Sequence, residues 1–203
     1  MFWKVNFSVE EVFILGGGVS LLREDLNLIK NKFIIGVNSA FKLGKWVDVC
    51  YFGDCRFYTW NKEELDEFSK TNLVITTCDV LGLNEHKYIK VLRKSQATKE
   101  NPIDWRPDYL AWHSNSGASA LALACKLGVK KIILIGFDMK VVDGKHNWHN
   151  YHKVTPSNTV YNRFKIHFEW IKEEADKKGI EIFNTCLDSA LDVFPKISLE
   201  KLV

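Results

Sequence analysis

Val12-Phe-Ile-Leu-Gly16-Gly17-Gly18-Val19-Ser20-Leu21 passes from four apolar residues to three glycines and then into a helical pattern that runs through Lys30. The apolar run reads as a buried strand, the glycines as a tight turn, and Ser20 as the opening of a helix. The first amides of such a helix are unpaired and face outward, with the positive end of the helix dipole behind them, which suits a phosphate or another anion. Glycine fits because a side chain would hold the ligand off and because a tight turn calls for positive φ. The same residues also read as a glycine-rich turn that binds nothing. The stretch is not a P-loop, since no Gly-Lys-Ser/Thr follows. Nor is it a full dinucleotide fingerprint, since Leu21 stands at the third glycine.

Beyond this stretch, short apolar runs alternate with helical patterns, which predicts an α/β domain with a doubly wound, mostly parallel sheet of Rossmann-like form and helices on both faces. Further strands are expected at Phe33-Ile-Ile-Gly-Val37, Val47 to Phe52, Leu73 to Thr77, Tyr88 to Leu92, Lys131 to Ile135 and Ile180 to Phe183. Asn61-Lys-Glu-Glu64 reads as an N-cap with a glutamate three residues on, opening a helix to about Lys70. Ser114-Asn-Ser-Gly117 caps a helix over 118–127 that Gly128 closes, and an amphipathic helix covers about 158–178 until Gly179. Residues 93–113 and 139–157 carry little periodicity. Loops of that length in a small domain are commonly lids or cleft walls.

A chain of 203 residues, 46% hydrophobic, is enough for one domain with a sizeable core, so residues 1–203 are expected to form a single nucleotide-binding unit. Its apolar runs are far too short to span a bilayer. The amino terminus lacks a charged-then-apolar signal pattern, so the expected location is the cytoplasm. Five scattered cysteines without a CxxC pair read as reduced core residues, neither a disulfide frame nor a zinc cage. A net charge of +3 is too small to point to nucleic acid, although Trp105, Tyr109 and Trp112 are of the kind that stack bases.

The strands end in Gly16 to Ser20, Asn38-Ser39, Gly53-Asp54, Thr76-Thr77, Gly136 to Asp138 and Asn184. Any one of these is an ordinary turn former or cap. In a parallel sheet, however, all of them meet on the edge where open α/β folds bind ligands. A crevice rich in polar groups is therefore expected.

Taken in order, Gly16-x-Gly18-x-Ser20-Leu21, Val37-Asn38, Asp54, Asn115-Ser-Gly117 and Gly136-x-Asp138 resemble the 6-hydroxymethylpterin diphosphokinase-like proteins, including their short bacterial and prophage-borne members. The pattern is also similar to the bacterial lipooligosaccharide sialyltransferases. It covers about residues 11–195, with Val19 standing where these families carry proline. The resemblance implies a transferase acting on an activated nucleotide donor, either ATP for phospho- or diphosphotransfer or a CMP-sugar for glycosyl transfer, and on a hydroxyl acceptor. It implies phosphate contacts from Gly16, Gly17, Gly18 and Ser20, and further amides at Ser116-Gly117. Asn38 and Asp54 would face the donor's base, sugar or metal.

His146-Asn-Trp-His149-Asn-Tyr-His152 is the other unusual segment. A histidine there suits removal of the acceptor's hydroxyl proton, with a neighbour stabilising the leaving phosphate. Imidazoles at this spacing also converge on a metal if the segment turns helically, and a surface loop accounts for them as well. By likeness to a histidine pair in the sialyltransferases, His152 is expected as base and His149 as phosphate partner. Asp54 and Asp138 are the carboxylates placed to hold Mg²⁺, should the donor be a triphosphate. If they instead bind ribose hydroxyls or cap helices, metal-free sugar transfer follows more naturally. A non-catalytic nucleotide-binding module is a further reading, and the oligomeric state is not legible.

Overall fold

The structure, a computed structural model, describes residues 9–79, 87–151 and 158–203. Its strands are β1 (Glu11–Leu15), β2 (Ile34–Val37), β3 (Val49–Phe52), β4 (Leu73–Thr76), β5 (Ile89–Val91), β6 (Arg93–Gln96), β7 (Tyr109–Trp112), β8 (Lys131–Ile135) and β9 (Glu181–Asn184). Its α-helices are α1 (Cys55–Phe68), α2 (Ser116–Lys126) and α3 (Asn158–Lys177). Among the described residues, seven strands form one sheet in the order β5-β4-β3-β2-β1-β8-β9. Every pairing in it is parallel.

Strands buried on both faces need apolar residues at every position, and Val12 to Leu15 and Ile132 to Ile135 supply them with no exposure at all. Successive side chains alternate between faces. Val12 and Ile14 join the core under α2 and α3, while Phe13 and Leu15 join the core under α1 and the short turns that follow β1. The doubly wound Rossmann-like α/β fold expected from the sequence is thus the observed one. No helix among the described residues is long and apolar enough to cross a membrane.

Several local expectations are corrected. After Gly18 the chain makes two 3₁₀ turns, Val19–Arg23 and Leu26–Ile29, and no α-helix. Helix α1 begins at Cys55 under an Asp54 cap, and the expected cap Asn61 lies within it as a kink, at φ −124 and ψ 20. Residues 93–113, read as aperiodic, hold the parallel pair β6–β7. Cys55 and Cys78 form a disulfide, against the reading of reduced cysteines, because β3 and β4 are neighbours and bring the residues after their ends together. Cys50, Cys125 and Cys186 are free and buried, as expected.

Candidate functional site

Strand β1 pairs with β2 on one side and β8 on the other, so the chain's direction of winding reverses between β1 and β8. Carboxyl ends of strands splay apart at such a reversal and leave a crevice. Here a cavity of about 540 Å³ opens at this point, lined by the Gly16–Gly18 bend, Asn38, Asp54, Ser116 and Gly117, Gly136 to Lys140, and His146, Asn147 and His149. The predicted site residues from six separate stretches thus share one cavity, with two exceptions. Ser20 lies behind the wall, and His152 falls outside the described residues.

The bend is held by its even-numbered amides. Gly16 N–H donates to Ile135 O at 2.7 Å, Gly18 N–H to Gly136 O at 2.8 Å, and Ser20 N–H to Asp138 Oδ1 at 3.0 Å. The Ser20 hydroxyl donates to Asp138 Oδ2 at 2.7 Å, both residues being buried. Alternate amides of an extended chain point in opposite directions. Gly17 N–H accordingly has no hydrogen-bond partner among the described residues, and Gly17 faces the cavity.

The reason for the glycines also differs from the expected one. A Cβ on Gly18 would overlap the Asp138 carboxylate, and one on Gly16 would sit 2.5 Å from Gly136 O. Close approach to the protein's own β8 turn, more than approach to a ligand, excludes side chains there. With no α-helix behind it, the bend also lacks the dipole that sequence pattern suggested.

Both carboxylates expected to hold a metal are engaged by the protein. Asp138 receives Ser20 as described. Asp54 caps α1 by accepting from Arg56 N–H at 2.9 Å and is ion-paired with the Arg56 guanidinium at 2.8 Å. That guanidinium holds the Asp54 carboxyl below its ordinary range against the opposing effect of burial, with the charge of Lys94 adding to it. Among the described residues, no group of three His, Cys, Asp or Glu side chains is placed to hold a metal ion. At α2, Asn115 Oδ1 accepts from Gly117 N–H at 2.7 Å and Ala118 N–H at 3.1 Å, so this helix start is capped from within.

The histidine segment lies against the bend. Trp148 N–H donates to Gly17 O at 2.9 Å. The Asn147 amide, oriented to satisfy both its ends, donates to Gly17 O at 3.1 Å and accepts from His146 Nε2 at 3.2 Å. His149 stacks on Tyr151 with ring centroids 4.7 Å apart, and its Nδ1 accepts from Tyr151 N–H at 3.3 Å. A neutral imidazole that accepts at Nδ1 carries its proton on Nε2. His149 is therefore set up as a hydrogen-bond donor.

Sequence reasoning missed part of the site. Five non-glycine residues among those described have positive φ, and Asn38 (51°), Ser114 (55°) and Met139 (50°) all line this cavity. Such strained backbone gathers at functional sites. Asn38 Oδ1 is also buried without a partner among the described residues. Asn38 was named from the sequence, and asparagine tolerates positive φ; Ser114 was read only as part of a helix cap, and nothing in the sequence marks Met139. The tail after β9 fixes the far wall: Asn184 Nδ2 and Ser189 Oγ both donate to Phe137 O, at 3.2 and 2.6 Å.

The chain is similar in fold to a bacterial sialyltransferase. Superposed on the crystal structure of the monofunctional alpha-2,3-sialyltransferase Cst-I from Campylobacter jejuni, it gives a TM-score of 0.62 with 18% identity, over 95% of this chain and 82% of that one. A short-chain dehydrogenase from Oenococcus oeni PSU-1 gives a TM-score of 0.26 at 9% identity, too slight a likeness to bear on the fold. No protein-family profile and no curated protein matches the chain. Nothing in these matches supports the resemblance to the diphosphokinases.

Proposed function

We propose that this protein is a glycosyltransferase that takes a sugar from a nucleotide-sugar donor of the CMP-sugar class and passes it to a hydroxyl acceptor. The observation that carries the reading is the sialyltransferase-like fold over nearly the whole chain. The crevice at the β1/β8 reversal supports it by offering groups suited to such a donor. In this reading Gly17 N–H and Arg56 meet the donor phosphate, and Asn38 turns its unpartnered oxygen to the base or ribose. Asp138 and Ser20 act at one remove, by fixing the bend. Asp54 orients Arg56.

In the reaction the acceptor oxygen attacks the anomeric carbon, and the bond from that carbon to the phosphate oxygen breaks. The bonding pair leaves with the nucleotide, and the hydroxyl proton passes to a base. His149, donating from Nε2, stabilises the leaving phosphate, and His152 is the base. Titration of the purified protein with CMP, and with ATP plus Mg²⁺, tests the assignment. We expect CMP to bind without added metal. Metal-dependent binding of ATP with none of CMP would replace this reading with phosphotransfer, and failure of both nucleotides up to millimolar concentration would remove the nucleotide site altogether.

A further inference from the structure

At the mouth of the cavity the wall changes character. Trp60, on α1 four residues after Arg56, lines the cavity yet is 65% exposed, so its indole presents an apolar face to solvent beside a charged group. Trp112, at the end of β7, lies across the backbone of Gly53, where a Cβ would overlap its ring. Lys94 belongs to β6, and alternation puts it on the same face of the β6–β7 pair as Leu110 and Trp112. Its ammonium sits 5.2 Å from the Trp112 ring centroid. That distance is within the range of a cation–π contact.

The charges here do not cancel. Arg56 is neutralised by Asp54, and Lys140 by Asp188. Lys94 has no carboxylate partner among the described residues, although its charge is felt at Asp54. An unpaired cation held on the Trp112 ring, with the exposed Trp60 indole lining the same cavity, presents a plane for the apolar face of a sugar ring and a charge for an anion.

We propose that Trp60, Trp112 and Lys94 form the acceptor subsite and that the acceptor is a saccharide bearing an anionic group, a carboxylate or a phosphate. Trp60 takes the sugar face, Lys94 takes the anion, and Trp112 positions Lys94. The inference rests on the transfer reading for the word acceptor, but binding of the saccharide does not require the donor.

The test is tryptophan-fluorescence titration of the intact protein with methyl glucoside, methyl glucuronide and glucose 6-phosphate, without nucleotide. The anionic probes should bind about tenfold tighter than the neutral one, the scale of one charge-assisted hydrogen bond. Lys94→Gln should abolish that preference without a change in melting temperature. Tighter binding of the glucuronide than of the phosphate assigns a carboxylate, and the reverse a phosphate. Equal binding of neutral and anionic probes by the unsubstituted protein, or a preference that survives Lys94→Gln, overturns the proposal. A CMP titration run alongside separates the two failures. CMP binding without saccharide preference sinks this subsite alone, while saccharide preference without CMP binding sinks the transfer reading and leaves the subsite standing.

Discussion

Gly17 and Gly18 are neighbours with different demands on them. A Cβ on Gly18 runs into the Asp138 carboxylate that holds Ser20, whereas one on Gly17 meets only the far end of the half-buried Asn147 side chain. Gly18→Ala should therefore lower stability by about 2 kcal/mol, the cost of overpacking a fixed contact, and also weaken nucleotide binding. Gly17→Ala should melt within a degree or two of the unsubstituted protein and lose affinity alone. Thermal melts and nucleotide titration of both variants check this, and equal destabilisation of the two would contradict it. The run of glycines was legible as a bend, but its partner was not. Asp138 lies 118 residues away from Ser20, and no local pattern announces a hydrogen bond of that span. The positive φ of Met139 was hidden as well, since methionine carries no preference for that region.

Between elements, two links are open to measurement. His113, at the end of β7, is fully buried and meets His167 of α3 through their Nδ1 atoms at 3.3 Å. Burial, and then the neighbouring His167, push the His113 imidazole down to about 3. Unfolded, it would take up a proton near 6.5. Between those values the unfolded chain holds the proton and the folded one does not, so this contribution to stability is complete above about pH 6.5 and falls away as the pH drops toward 3. The loss should reach about 4 kcal/mol at the acid end. Denaturant unfolding from pH 7 to 4 should show this slope and His113→Phe should flatten it; an unchanged slope would contradict the assignment.

The disulfide ties the first turn of α1 to the chain after β4 across a separation of 23 residues. A loop of that size contributes about 3 kcal/mol, so Cys55→Ser should lower the melting temperature by about 6–12 °C under non-reducing conditions. A melt that is equal with and without a reductant would show that the bond does not contribute. Sequence spacing alone hid this pair, because only the adjacency of β3 and β4 joins residues without a recognisable motif. The seven strands of the main sheet, α2 and α3 were legible from periodicity and caps, whereas β6 and β7 were not. The helix after Gly18 failed because the Ser20 amide is drawn sideways to Asp138 and Asp25 starts a new turn by accepting from Asn27 N–H.

Across the whole molecule, the reading of strand ends held better than that of any single motif. Alternation of apolar runs and helices implies a parallel sheet, a parallel sheet gathers its carboxyl ends, and the winding reversal at β1/β8 opens a cavity among them. Residues from 16 to 164 meet there, drawn from stretches spread along most of the chain. What the sequence did not reveal is how much of the polar inventory the protein uses on itself: Asp54 on Arg56, Asp138 on Ser20, Asn115 on the start of α2. The groups that stay open, Gly17 N–H and Asn38 Oδ1, are the ones the proposed donor would meet. The most direct test is a crystal structure of the protein soaked with CMP. The account predicts the phosphate within hydrogen-bond reach of Gly17 N–H and the nucleoside against Asn38; nucleotide density elsewhere on the surface, with the β1/β8 crevice holding only water, would contradict it.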